Sequence, residues 1–146
     1  MKNYIFILFI SLFSISCALK QDPVSFDQKE STILLTQHNW QGIKVTKFVN
    51  QVQTKSYGIE NRILKFDSEG NFKKIKNSIT LQDGDWQWLD TPNTRILRIN
   101  YFAANLNYND IDDLEINILS DDFFEFNIIK TDSQKNTIRL KYLFKK

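Results

Sequence analysis

The sequence predicts an all-β fold, an eight-stranded antiparallel up-and-down barrel with a short helix on its N-terminal side. Four late segments alternate apolar and polar residues with a period of two, as strands do when they bury one face. Turn residues separate the segments at hairpin spacing. The chain also holds twelve Phe, five Tyr and three Trp against four Gly and two Pro, which supplies large apolar areas for a core and argues against disorder.

The N-terminus stands apart from that barrel. Lys2 leads into an almost wholly apolar run over 4–13, closed by Ser14-Ile15-Ser16-Cys17, the three-part layout of a secretory signal spanning 1–16. The apolar stretch falls short of the roughly 20 residues that a membrane-crossing helix needs, so removal is expected. Ile15-Ser16-Cys17 resembles the lipobox of bacterial lipoproteins, although Ser14 stands where an aliphatic residue is usual. That resemblance implies a diacylglyceryl group on Cys17 and a place in the bacterial cell envelope, as an outer-membrane lipoprotein on its periplasmic or surface face. The alternative is an ordinary signal with an incidental cysteine. Cys17 is the only cysteine, so once it is acylated the body has no thiol for a disulfide or a thiolate metal site. Residues 17–30, polar and containing Pro23, read as a tether, and 31–146 as one β domain.

Along the body, 28–37 fits one or two helical turns, with Asp27 or Ser31 at the start. Strands follow at 41–48, 62–67, 72–78 and 85–89. The alternating segments come next: Leu97, Ile99 and Tyr101; Leu114, Ile116 and Ile118; Phe124, Phe126 and Ile128; then Ile138, Leu140, Tyr142 and Phe144. Turn chemistry lies at Asp67-Ser68-Glu69-Gly70-Asn71, Asp83-Gly84, Asp90-Thr91-Pro92-Asn93, Ser120-Asp121-Asp122 and Asp132-Ser133-Gln134-Lys135-Asn136. Only 50–60 and 104–113 read as longer polar links. Eight strands so connected can close into a barrel, which removes both sheet edges and leaves an interior for side chains or one small ligand. A two-sheet sandwich is the competing architecture, with Greek-key links between strands distant in sequence.

Leu35 then Trp40, Leu64-x-Phe66-x-x-x-Gly70-x-Phe72, Asp85-Trp86-Gln87-Trp88, Ile96-Leu97-x-Ile99 and Ile138-Arg139-Leu140 occur in an order that resembles the small lipocalin-like lipoproteins of the Bacteroidetes type. The resemblance covers roughly 33–144. It implies a barrel with a pocket and no enzymatic role, and its motifs speak to fold more than to activity. His38 stands where lipocalins proper carry glycine before the first-strand tryptophan. The resemblance would also have an arginine on the last strand cover Trp40, a role open to Arg139 but at odds with its outward phase.

Trp86 and Trp88 share a strand phase and, with Phe66 and Tyr101, are candidates to line a ligand pocket; core packing is the other reading of the same residues. Trp40 reads as a plug at the base. Asp110, Asp112, Asp113 and Glu115, and Asp83 with Asp85 around Gly84, raise calcium binding, but a calcium loop folds several oxygens around one point, and solvated turns fit better. His38 has no partners for a zinc site, and no nucleophile elbow, phosphate loop or dinucleotide fingerprint occurs. No metal, cofactor or catalytic residue is therefore expected. A formal charge of +2 gives no footprint for nucleic acid. The expectation is a non-enzymatic lipoprotein, held to a membrane through its lipid, that binds a small apolar or amphipathic ligand. The alternative is an envelope interaction protein with a packed barrel. A hydrolase with paired carboxylates comes third.

Overall fold

The computed structural model describes residues 27–89, 91, 94–103 and 108–146. The signal, Cys17, the tether up to 26, and Asp90, Pro92 and Asn93 of the expected turn lie outside the described residues, as do 104–107. One helix, α1 (Gln28–Thr36), precedes nine strands: β1 (Asn39–Val49), β2 (Val52–Gly58), β3 (Arg62–Phe66), β4 (Asn71–Lys76), β5 (Ile79–Leu89), β6 (Ile96–Ala103), β7 (Tyr108–Leu119), β8 (Phe123–Thr131) and β9 (Thr137–Lys145). Strands β1 and β3 to β9 form a closed eight-stranded antiparallel barrel, sealed where β9 pairs with β1 from Gln41↔Lys145 to Val49↔Ile138. Each barrel strand pairs with its neighbour in sequence apart from the β2 interruption, so the meander is real and the sandwich is not formed.

Strand β2 corrects the reading of 50–60 as a loop. It pairs with the upper part of β1, from Lys44↔Gly58 to Val49↔Val52, while β3 takes the lower part at Asn39, Trp40 and Gln41. Every residue of β2 is exposed, so no apolar alternation marks it. Its hairpin is also disguised. Asn50 and Gln51 have φ of 48° and 70°, as do Asn77 and Ser78 at 50° and 64° between β4 and β5. Both are two-residue turns needing positive φ at both positions, which glycine normally signals. Replacing Ser78 with glycine is expected to raise stability by about 1 kcal/mol by removing that strain, measured as the denaturation midpoint.

Helix α1 closes the end of the barrel called the base here. Asp27 caps it, its carboxylate accepting from the Lys29 and Glu30 amides at 2.8 and 3.0 Å, which satisfies two of the helix's free donors. Leu35 is fully buried. The Trp40 indole N–H donates to the Leu35 carbonyl at 2.9 Å, Trp88 donates to Thr32 Oγ1 at 3.0 Å, and Gln37 donates to Asp121 at 3.0 Å. Strand starts, ends and turns from one side of the barrel are thereby tied to one short helix. Above it an aromatic column fills the axis: Trp40 meets Phe124 at 5.4 Å, Phe124 meets Phe126 at 4.9 Å, and Phe126 stacks on Tyr142 at 5.1 Å. Phe66 packs edge-on to Trp86 and Phe124 beside that column.

The β3–β4 and β8–β9 turns, 67–71 and 132–136, share the pattern Asp-Ser-x-x-Asn and the same wiring. Asp67 Oδ1 accepts from the Glu69 and Asn71 amides, and Asp132 Oδ1 from the Gln134 and Asn136 amides. The fourth residue has positive φ in both, Gly70 at 91° and Lys135 at 63°. Hydrogen bonds from the Asn71 and Asn136 side chains, then from their amides, hold both carboxyls below the ordinary 3.8. A depressed folded value stabilises above the unfolded value and loses that contribution as pH falls through the folded one. Stability is therefore expected to drop below about pH 4, and an Asp67→Asn/Asp132→Asn double variant should show a shallower acid slope in denaturant melts.

Candidate functional site

Above the aromatic column the barrel interior changes character. A cavity of about 50 Å³ lies there, floored by Phe72, Phe126 and Phe144 and ringed by Arg62, Lys74, Gln82, Tyr101, Asp112 and Tyr142. The strands place these groups by extending a buried phase upward. Arg62 follows Leu64 and Phe66 on β3, Lys74 follows Phe72 on β4, and Asp112 follows Leu114 and Ile116 on β7. Register then brings them together: Lys74 lies opposite Leu64 on one side and Gln82 on the other, with Arg62 two residues further up β3.

The charges are unevenly matched. Lys130 Nζ lies 2.8 Å from Asp112 Oδ1 at the mouth. The Tyr101 hydroxyl is within hydrogen-bond reach of Asp112 Oδ2 at 3.0 Å and Asp110 Oδ2 at 3.2 Å, and its single proton serves them in turn. Arg62 and Lys74 have no side-chain hydrogen bond or ion pair with any described residue. Burial, then the neighbouring Arg62 charge, lowers the Lys74 pKa against the opposing pull of Asp112. Lys130 behaves oppositely: partial desolvation disfavours its charge, but the hydrogen bond and charge of Asp112 outweigh it and raise the pKa. Desolvation, reinforced by Asp112 and Asp110, drives the Tyr101 phenol well above its ordinary value, and burial also raises Tyr142. Both phenols therefore stay protonated and available as donors near neutral pH.

Of the four sequence candidates for a pocket, Tyr101 alone lines this cavity. Phe66 and Trp86 are buried in the base, and the Trp86 indole donates to the Asp67 carbonyl at 3.1 Å. Trp88 is half-buried against α1 and edge-on to Trp86 at 6.3 Å. Large rings two residues apart on β5 fill the end that the helix closes, which is why they pack and do not line the space above. Trp40 is the base plug. His38 lies edge-on to it at 5.4 Å, and Arg139 sits 4.4 Å over the Phe48 ring on the outer face, away from Trp40.

The acidic run splits by phase: Asp110 and Asp112 meet Tyr101, while Asp113 forms a bidentate pair with Arg98. Among the described residues no three His, Cys, Asp or Glu side chains converge as a metal-binding group. Larger hollows of about 620 and 530 Å³ lie on the outer wall around Gly84. They are open grooves in which Asn100 already binds Asp85 and Asn71 binds Asp67, so the more enclosed interior site is the better candidate despite its size. No helix among the described residues is long and apolar enough to cross a membrane. No protein-family model matches the chain, and no curated protein is significantly similar to it.

Proposed function

We propose that the protein is a non-enzymatic, lipocalin-like lipoprotein, exported and anchored through Cys17, whose barrel binds a small amphipathic molecule in its upper interior. The observation that carries this reading is the contrast along the barrel axis. A base closed by α1 and packed with aromatic rings gives way to a cavity with an apolar floor and a ring of polar and charged side chains. Such a boundary suits a molecule with one apolar and one polar end. At about 50 Å³ the space suits a small molecule or one end of a larger one, far below the ~300 Å³ of drug-sized pockets.

Native mass spectrometry of the full chain after mild extraction tests the binding half. A bound small molecule is the expected result, and a consistently empty barrel counts against it. Metabolic labelling with a fatty-acid analogue tests the anchor: label should enter the wild type and be lost in Cys17→Ala, and equal labelling of both would sink it.

A second reading, an envelope interaction protein, draws on the rim opposite the base. Strand β2 has one edge without a strand partner among the described residues, and Val52 on β2 itself and Ile79, Phe102, Tyr108, Ile111 and Ile129 on β5 to β8 are exposed. Free edges and exposed apolar groups favour pairing with another chain. Cross-linking in intact cells that traps a stoichiometric protein partner, with no small molecule in the barrel, would favour this second reading.

A further inference from the structure

We infer that the polar end of the bound molecule is an anion, and that the ligand class is a short-chain carboxylate seated with its carboxylate at Arg62 and Lys74. This rests on the ligand-binding reading above and adds the charge and chemical class. Two cations line one cavity, and neither has a side-chain hydrogen bond or ion pair among the described residues. Placing like charges together inside a barrel is unfavourable, and a carboxylate between them removes the cost.

The protein's own carboxylates are already engaged. Asp112 is held by Lys130 and faces the Tyr101 hydroxyl, and Asp110 accepts from the Ile111 amide at 2.9 Å. Arg62, Lys74 and Lys130 against Asp110 and Asp112 leave one positive charge in excess, which matches a monoanion. The guanidinium fork of Arg62 suits a planar carboxylate, and the Tyr142 phenol, which also lines the cavity, is a further donor.

The apolar floor decides between carboxylate and inorganic anion. Phosphate or sulfate would turn bare oxygens onto Phe126 and Phe144, whereas a carboxylate presents a hydrocarbon end to them. The cavity of about 50 Å³, less than twice a water's ~30 Å³ share of the liquid, takes only the first part of such a chain, so the chain must be short and the rest of the ligand lies toward the open mouth.

Calorimetric titration of the full chain with butyrate, butanol, butylamine and inorganic phosphate tests this. Butyrate is expected to bind at least about tenfold more tightly than butanol, the size of effect that one hydrogen bond to a charged group gives, with butylamine and phosphate weaker still. Lys74→Met and Arg62→Met should each weaken butyrate at least about tenfold while leaving butanol unchanged. Lys74→Met should also raise the thermal midpoint, because it removes a desolvated charge; a lysine serving the fold would lower it. If Lys74→Met does not fold, Lys74→Gln is titrated in its place with the same expectation. Butanol binding as tightly as butyrate would overturn the anion inference but leave the ligand site standing, and phosphate matching butyrate would overturn the carboxylate class. No binding of any of these or of octanoate would overturn the ligand-binding reading itself.

Discussion

Replacing Trp40 with alanine is expected to lower the unfolding free energy by about 4 kcal/mol, the range found when a fully buried tryptophan or phenylalanine is cut back to a methyl group. Trp40 is 0% exposed and touches both the helix and the aromatic column. Its loss would remove the ring contact with Phe124 and leave the Leu35 carbonyl without the indole donor in a buried setting. A conservative Trp40→Phe variant separates these contributions: it keeps most of the apolar area and loses the hydrogen bond, with an expected cost of about 1.5 kcal/mol. Urea denaturation of both variants measures the difference. A loss below about 1 kcal/mol for alanine would mean that α1 and Trp40 do not hold the base closed.

Gly84→Ala is expected to cost about 3 kcal/mol, at the upper end for inserting a methyl group where none fits. A Cβ at this position would run into the Asn100 carbonyl oxygen and lie 2.8 Å from the Tyr101 Cα. Both are backbone atoms of the paired strand β6, so relief requires β5 and β6 to move apart, disturbing the ladder that holds Trp86 opposite Ile99. Gly58→Ala is the natural control. Its new methyl group would meet the Glu60 carboxylate at the end of a flexible side chain, and a loss under about 1 kcal/mol is expected. Equal losses at both sites would contradict the close approach of β5 to β6 at Gly84.

The barrel was legible because its later strands bury one face and expose the other. Leu97, Ile99 and Tyr101, or Phe124 and Phe126, announce a period of two without help from tertiary context. Strand β2 was not legible, since a strand exposed along its whole length has no apolar phase, and its Asn50-Gln51 turn lacks the glycine that marks positive φ. The site was harder. Aromatic residues drew attention to Phe66, Trp86 and Trp88, yet aromatic size alone does not tell a floor from a lining.

The residues that surround the cavity carried a different signal. Arg62, Lys74 and Asp112 each stand two positions beyond a buried apolar residue and in the same strand phase, and Lys130 does so beyond the half-buried Ile128. A charged residue that continues a core phase marks the height at which a barrel interior turns polar. Reading each strand for the point where its inward phase becomes charged would have found the ring. It would not have shown that Asp112 is spoken for by Lys130, because that depends on register between β7 and β8.

The claim that a small molecule binds in the upper interior, above a closed base, is tested most directly by backbone amide and indole N–H shifts of the full chain during titration with butyrate. Shifts are expected at Arg62, Lys74, Gln82, Tyr101 and Tyr142, with the indole signals of Trp40, Trp86 and Trp88 unmoved because those rings lie in the base. Shifts confined to the outer wall around Gly84, or led by the three indoles, would contradict it.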